Sequence, residues 1–168
     1  LNDKLEAMNL IVSELKRIFS VDDDENDNLL LMTALKAAGF AGKLEFAADG
    51  EEAIEILEKL DRDSLPNFVM LDVNMPRQNG FEALQRLRAN EKLRSIPVAI
   101  FTTSDQPEEI ARAYEFGADI FLVKPLAFDD LLDLARIVGQ FLECDDRDMS
   151  RFHSHSSCRL RKSTGSDP

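Results

Sequence analysis

Phe68-Val69-Met70-Leu71-Asp72-Val73-Asn74-Met75-Pro76 is the stretch from which the rest of the chain can be understood. Four apolar residues run together with no polar break, the pattern of a strand buried on both faces of a parallel sheet. An aspartate ends the run. Shortly after it, Met75-Pro76 forces an extended, turn-like backbone, because proline disfavours helix at the residue before it. A carboxylate at the carboxyl end of a buried parallel strand lies at the crevice where open α/β sheets bind ligands. An isolated aspartate in that position reads as a turn cap; two other strand ends change the reading.

Upstream, Ile18-Phe19-Ser20-Val21 reads as a strand that stops at Asp22-Asp23-Asp24-Glu25. Leu30, Leu31, Ala34, Leu35, Ala37 and Ala38 then recur at helical spacing, with Gly39 as the closing residue. Lys43 to Ala47 is a weaker strand. Asp49-Gly50-Glu51-Glu52 opens the next helix, with Asp49 as N-cap and Ala53, Ile56, Leu57 and Leu60 on its inner face. Downstream of Asn79-Gly80 a helix carries Phe81, Leu84 and Leu87. Pro97 to Thr102 is a strand, and Pro107-Glu108-Glu109 begins a helix that Gly117 can close. Ile120 to Val123 is the fifth strand, stopping at Lys124-Pro125, and Leu131, Leu134, Ala135 and Val138 mark the last helix.

Five strands alternating with five helices predict an α/β fold: a (βα)5 doubly wound parallel sheet, flavodoxin-like, with strand order 2-1-3-4-5. This domain is expected over residues 16–143. Residues 1–15 carry a heptad stripe of Leu1, Leu5, Met8, Val12 and Leu15, expected to form an N-terminal helical extension. From residue 144 to 168 periodicity disappears and Ser, Arg and Asp dominate, which predicts a disordered tail.

The formal charge of -12 argues against nucleic acid or an anionic membrane as partner. No stretch approaches the roughly 20 apolar residues of a membrane span. Cys144 and Cys158, the only cysteines, look like free thiols of a reducing compartment, so the expected location is the cytoplasm. His153, His155 and Cys158 are a weak candidate for a transition-metal site, because a mobile tail seldom fixes ligand geometry.

In the expected fold one sheet edge gathers Asp22, Asp23, Asp72, Thr102 and Lys124. Carboxylates that close together repel unless a cation sits among them. Oxygen donors without histidine or cysteine select a hard ion, and Mg2+ is the usual choice beside phosphate. Lys124 and the Thr102 hydroxyl could hold the oxygens of a transferring phosphoryl group. Asp72 would be the nucleophile, forming an aspartyl phosphate.

With Val21-Asp22-Asp23, Leu71 to Pro76, Asn79-Gly80, Thr102-Thr103-Ser104, Gly117-Ala118-Asp119 and Lys124-Pro125 in place, the sequence resembles a receiver domain of the two-component response regulators from about Arg17 to Glu143. The resemblance implies that Asp72 accepts phosphate from a histidine kinase or a histidine phosphotransfer protein. It also implies Mg2+ ligation by Asp23 directly, by Asp22 through water, by Asp72, and by the Asn74 backbone carbonyl. Lys124 would bind the phosphoryl group, the Lys124-Pro125 bond would be cis, and Thr102 and Phe121 would form a switch pair. The implied role is signalling rather than enzymatic, with output to a downstream protein through the strand 4, helix 4 and strand 5 surface, and a homodimer is compatible with it. After Glu143 too little sequence remains for a DNA-binding module, so a receiver without an attached output domain is expected.

Two other readings compete. A phosphatase of the haloacid dehalogenase type also uses an aspartate, Mg2+, a Ser/Thr and a Lys, but needs a second aspartate where Asn74 stands. A pseudo-receiver that acts by binding alone is disfavoured because every active-site group is present.

Overall fold

The computed structural model describes residues 15–75, 80–144 and 148–160. Elements follow in the order β1 (Arg17–Val21), α1 (Glu25–Ala37), β2 (Lys43–Ala47), α2 (Gly50–Lys59), β3 (Phe68–Leu71), α3 (Gly80–Ala89), β4 (Val98–Thr102), α4 (Pro107–Glu115), β5 (Ile120–Val123), α5 (Phe128–Glu143) and β6 (Cys158–Arg159). Single 3-10 turns at Arg62–Ser64 and Met149–Phe152 complete the list.

The sheet order is β2-β1-β3-β4-β5-β6. The first five strands pair in parallel, as the alternating pattern predicts, and β6 adds an antiparallel edge. β3 is buried along its whole length, which is why its sequence shows no alternation. Successive side chains enter opposite layers. Phe19, Val69, Leu71, Ile100 and Phe121 pack against α2, α3 and α4. Ile18, Phe68, Met70, Ala99 and Leu122 pack against α1 and α5.

Local sequence explains the helix ends. Asp24 caps α1 by accepting from the backbone N–H groups of Asn26 and Asp27. Asp49 accepts from the Glu52 N–H at 2.9 Å while Glu52 reaches back to the Ala48 N–H at 2.7 Å, a reciprocal capping box. Gly39 and Gly117 close α1 and α4 with φ of 86° and 93°, a backbone region costly for residues with a β-carbon.

The tail departs from the sequence expectation. Residues 148–160 are structured, because Phe152 is fully buried against Phe68 and Phe141, with ring centroids 6.0 and 5.6 Å away. Burial of one aromatic ring supplies the hydrophobic gain that the surrounding polar sequence lacks. β6 then runs along β5, pairing Phe121 with Arg159 and Leu122 with Cys158. His155, one of the weak metal candidates, is tied into the chain instead. Its Nδ1 accepts from the Ser157 N–H at 3.1 Å and its Nε2 lies 3.0 Å from the Asp130 carbonyl. The expected helix over residues 1–15 lies almost wholly outside the described residues, as do Pro76 and Asn79 of the quoted motifs. Among the described residues no helix is long and apolar enough to cross a membrane.

Candidate functional site

Three strand ends build the site. The Asp72 N–H donates to the Val21 carbonyl at 2.9 Å and the Asp22 N–H to the Ala47 carbonyl at 3.0 Å, so pairing holds both aspartates in register just past β1 and β3. The Lys124 N–H donates to the Thr102 carbonyl at 2.7 Å, which fixes the end of β5 beside β4. Gly80 allows α3 to start directly against this edge. A β-carbon there would lie 2.1 Å from the Asp72 carbonyl oxygen, so only glycine fits.

Lys124 is the centre of the cluster. Its Nζ donates to Asp22 Oδ2 at 2.6 Å, Asp27 Oδ2 at 2.7 Å and Asp72 Oδ2 at 2.8 Å. Asp22 and Asp72 are almost fully buried. Their remaining oxygens are also engaged: Asp22 Oδ1 accepts from the Asp24 N–H at 3.0 Å and Asp72 Oδ1 from the Asn74 N–H at 2.9 Å. Burial pushes the Asp22 carboxyl above its ordinary range, with Lys124 pulling the other way. Lys124 is held charged well above the usual lysine value: desolvation opposes this, and hydrogen bonds to Asp22, Asp27 and Asp72 outweigh it.

Of the residues expected at the site, Asp22, Asp72 and Lys124 are brought into contact. Thr102 joins them through Asn74, whose side-chain amide donates to the fully buried Thr102 Oγ1 at 2.9 Å. An amide used as a donor in that way is no general acid or base, which removes the residue a phosphatase would need at this position. Asp23 is exposed and stands outside the cluster, since the chain alternates as it leaves β1. The third carboxylate is Asp27, on the first turn of α1, which the strand-end reading did not single out. Phe121 is fully buried, and its N–H donates to the Tyr114 hydroxyl at 3.2 Å. The Lys124-Pro125 bond, expected to be cis, is trans, since no cis peptide occurs among the described residues; trans is the lower-energy isomer of an X–Pro bond.

A divalent cation can be tested against this donor set. Among the described residues no trio of His, Cys, Asp or Glu stands ready as a metal cage; the carboxylates close on Lys124 instead. The donor chemistry nevertheless fits a hard ion. All the groups are oxygens, and each carboxylate oxygen of Asp22 and Asp72 retains lone-pair capacity beyond its hydrogen bond.

Comparison with known proteins agrees with this geometry. The chain is 37% identical over 116 residues to the regulatory protein FilR2 of Methanothrix harundinacea, covering 68% of this chain and 75% of that one. It superposes on the phosphorylated cyanobacterial phytochrome response regulator RcpA with a TM-score of 0.70 at 26% identity, covering 77% of this chain and 94% of that one. The Mn(2+)-bound form of response regulator Rcp1 gives a TM-score of 0.68 at 30% identity, with 76% and 95% covered. Residues 18–136 match the response regulator receiver domain model, and the chain belongs to that family.

Proposed function

We propose that Asp72 is the phosphoryl acceptor of this phosphorelay receiver, with Lys124 and Thr102 binding the transferred group. Receivers of this family are phospho-accepting signalling modules and not enzymes with a separate substrate. The observation that carries the assignment is the placement of Asp72: a carboxylate ending a wholly buried strand, 2.8 Å from a lysine ammonium.

In the reaction an Asp72 carboxylate oxygen attacks the phosphorus of a phosphohistidine. The new O–P bond forms as the P–N bond breaks, and the imidazole leaves with the electron pair of that bond and takes up a proton. Lys124 offsets charge on the phosphoryl oxygens, and low dielectric around the buried site strengthens that interaction. The Thr102 hydroxyl, now an acceptor from Asn74, can rotate to donate to a phosphoryl oxygen. Asp22, Asp23, Asp72 and the Asn74 carbonyl would hold Mg2+, which when bound supplies positive charge beside the phosphoryl group; a related response regulator is known in an Mn(2+)-bound form.

The donor is a histidine kinase or histidine phosphotransfer protein. Leu29 and Leu30 on α1 and Leu126 and Phe128 after Lys124 are exposed, and they suit burial by such a protein. Output is assigned to β4, α4 and β5. With Thr102 and Phe121 as the switch pair, the change would pass from Thr102 to Phe121 and to the loop before α4. Two unpaired cysteines and the acidic surface suit a cytoplasmic protein.

Acetyl phosphate with Mg2+ should add one phosphoryl group by intact mass to the wild type and none to Asp72→Asn. Equal labelling of the variant would move the acceptor elsewhere.

A further inference from the structure

All three N–H donors of Lys124 are in use, on Asp22, Asp27 and Asp72. An ammonium has three donors and no more. A phosphoryl group on Asp72 inherits the one donor that Asp72 Oδ2 now takes, and a second Lys124 hydrogen bond to its oxygens requires Asp22 or Asp27 to leave.

The three differ in what leaving costs. The side chains of Asp22 and Asp72 are 5% and 8% exposed, and each has its second oxygen fixed by a backbone N–H of the same turn. Asp72 carries the phosphoryl group and stays beside Lys124, whereas losing Lys124 would leave Asp22 buried with less compensation. The Asp27 side chain is 33% exposed and sits three residues after the Asp24 cap. Released from Lys124, it returns to water and remains in the first turn of α1, where the helix N-terminus favours a negative charge.

We propose that Asp27 is a placeholder for the phosphoryl group: it occupies the Lys124 donor in the unphosphorylated protein and yields it when Asp72 is phosphorylated. This rests on the reading of Asp72 as acceptor. An acid in a first helical turn has an ordinary explanation in the helix dipole alone. That role needs no contact with Lys124 and gives Asp27 no direct competition with a bound phosphoryl mimic. A purely supporting role, in which Asp27 steers Lys124 toward Asp72, predicts that its loss weakens mimic binding. Competition predicts the opposite sign.

The test is beryllofluoride binding to the full chain in Mg2+, followed by fluorine NMR, for wild type, Asp27→Asn and Asp27→Ala. Both variants should bind about fivefold more tightly than wild type, the scale of one partly exposed ion pair. Equal or weaker binding in the variants overturns the proposal. A second measurement needs no variant. In wild type the Asp27 carboxyl carbon signal should move toward that of a solvated aspartate on adding beryllofluoride, while Asp22 keeps its lysine contact. An Asp27 signal that stays in place overturns the proposal as well. Wild type that binds no beryllofluoride at all overturns the acceptor reading itself, a different result from binding without a gain in the variants.

Discussion

The Tyr114 hydroxyl donates to the Arg159 carbonyl at 2.6 Å, so helix α4 and the added edge strand β6 share one proton-dependent contact. The same oxygen accepts from the Phe121 N–H, which joins it to β5. Burial pushes the phenol up to about 12 from 10.0, outweighing the hydrogen bond from Phe121. The folded state therefore holds the proton more tightly than the unfolded state. Stability from this contact is complete below 10.0 and is lost as pH rises from there through about 12. Tyr114 is the single tyrosine of the chain, so phenolate absorbance reports it alone. The titration should be displaced to high pH in the native protein and return to the ordinary value in urea.

Phe152→Ala should destabilise the protein by about 3 kcal/mol or more, since it empties a fully buried site between Phe68 and Phe141. Urea melts measure this. A loss under about 0.5 kcal/mol, as for a surface substitution, would mean that the ring is not part of the core in solution.

Lys124→Met leaves Asp22, Asp27 and Asp72 facing one another with no cation between them. Removing one member of a buried charge cluster costs about 3 kcal/mol. The Asp22 carboxyl, which burial already raises, would lose the lysine that pulls it down, so the folded state would bind more protons than the unfolded one. Stability of the variant should therefore increase as pH falls from neutral to about 5, where that of wild type changes less. Urea melts with chelator at both pH values give the comparison.

Gly80→Ala should cost about 1–3 kcal/mol by overpacking, because its β-carbon would meet the backbone of Asp72 and Val73. The variant should also accept phosphate from acetyl phosphate more slowly, as Asp72 is displaced. Gly139→Ala in α5 is the control. Its β-carbon meets nothing within 4 Å, and the alanine should stabilise the helix by up to about 1 kcal/mol.

The buried strands were legible because parallel strands covered on both faces are written as uninterrupted apolar runs, and β3, β4 and β5 are such runs. Asp72, Asp22 and Lys124 followed from their places at the ends of those strands. Asp27 did not follow, since an acid in a first helical turn needs no partner to account for it; only the packing of α1 near the end of β5 brings it to Lys124. Asp23, which its place at the end of β1 and the family resemblance put beside Asp22, is exposed where Asp22 is buried, because the alternation of an extended chain turns one inward and the other outward. Phe152 lay hidden because one aromatic among serines and arginines has no periodicity. The two-residue strand β6 is too short for any pattern.

Phe68 opens the central strand, yet the ring stacked on it belongs to a residue from far later in the chain. A ribosome therefore releases β3 long before it releases its cover. Throughout that interval Phe68 lacks that ring, and β5 emerges with one margin unpaired. Exposed strand margins of this kind recruit other chains. Phe152 and β6 thus act on the yield of folded protein as well as on its stability: translation that stalls shortly after α5 leaves a sheet with an open seam, and the segment that closes it comes next off the ribosome.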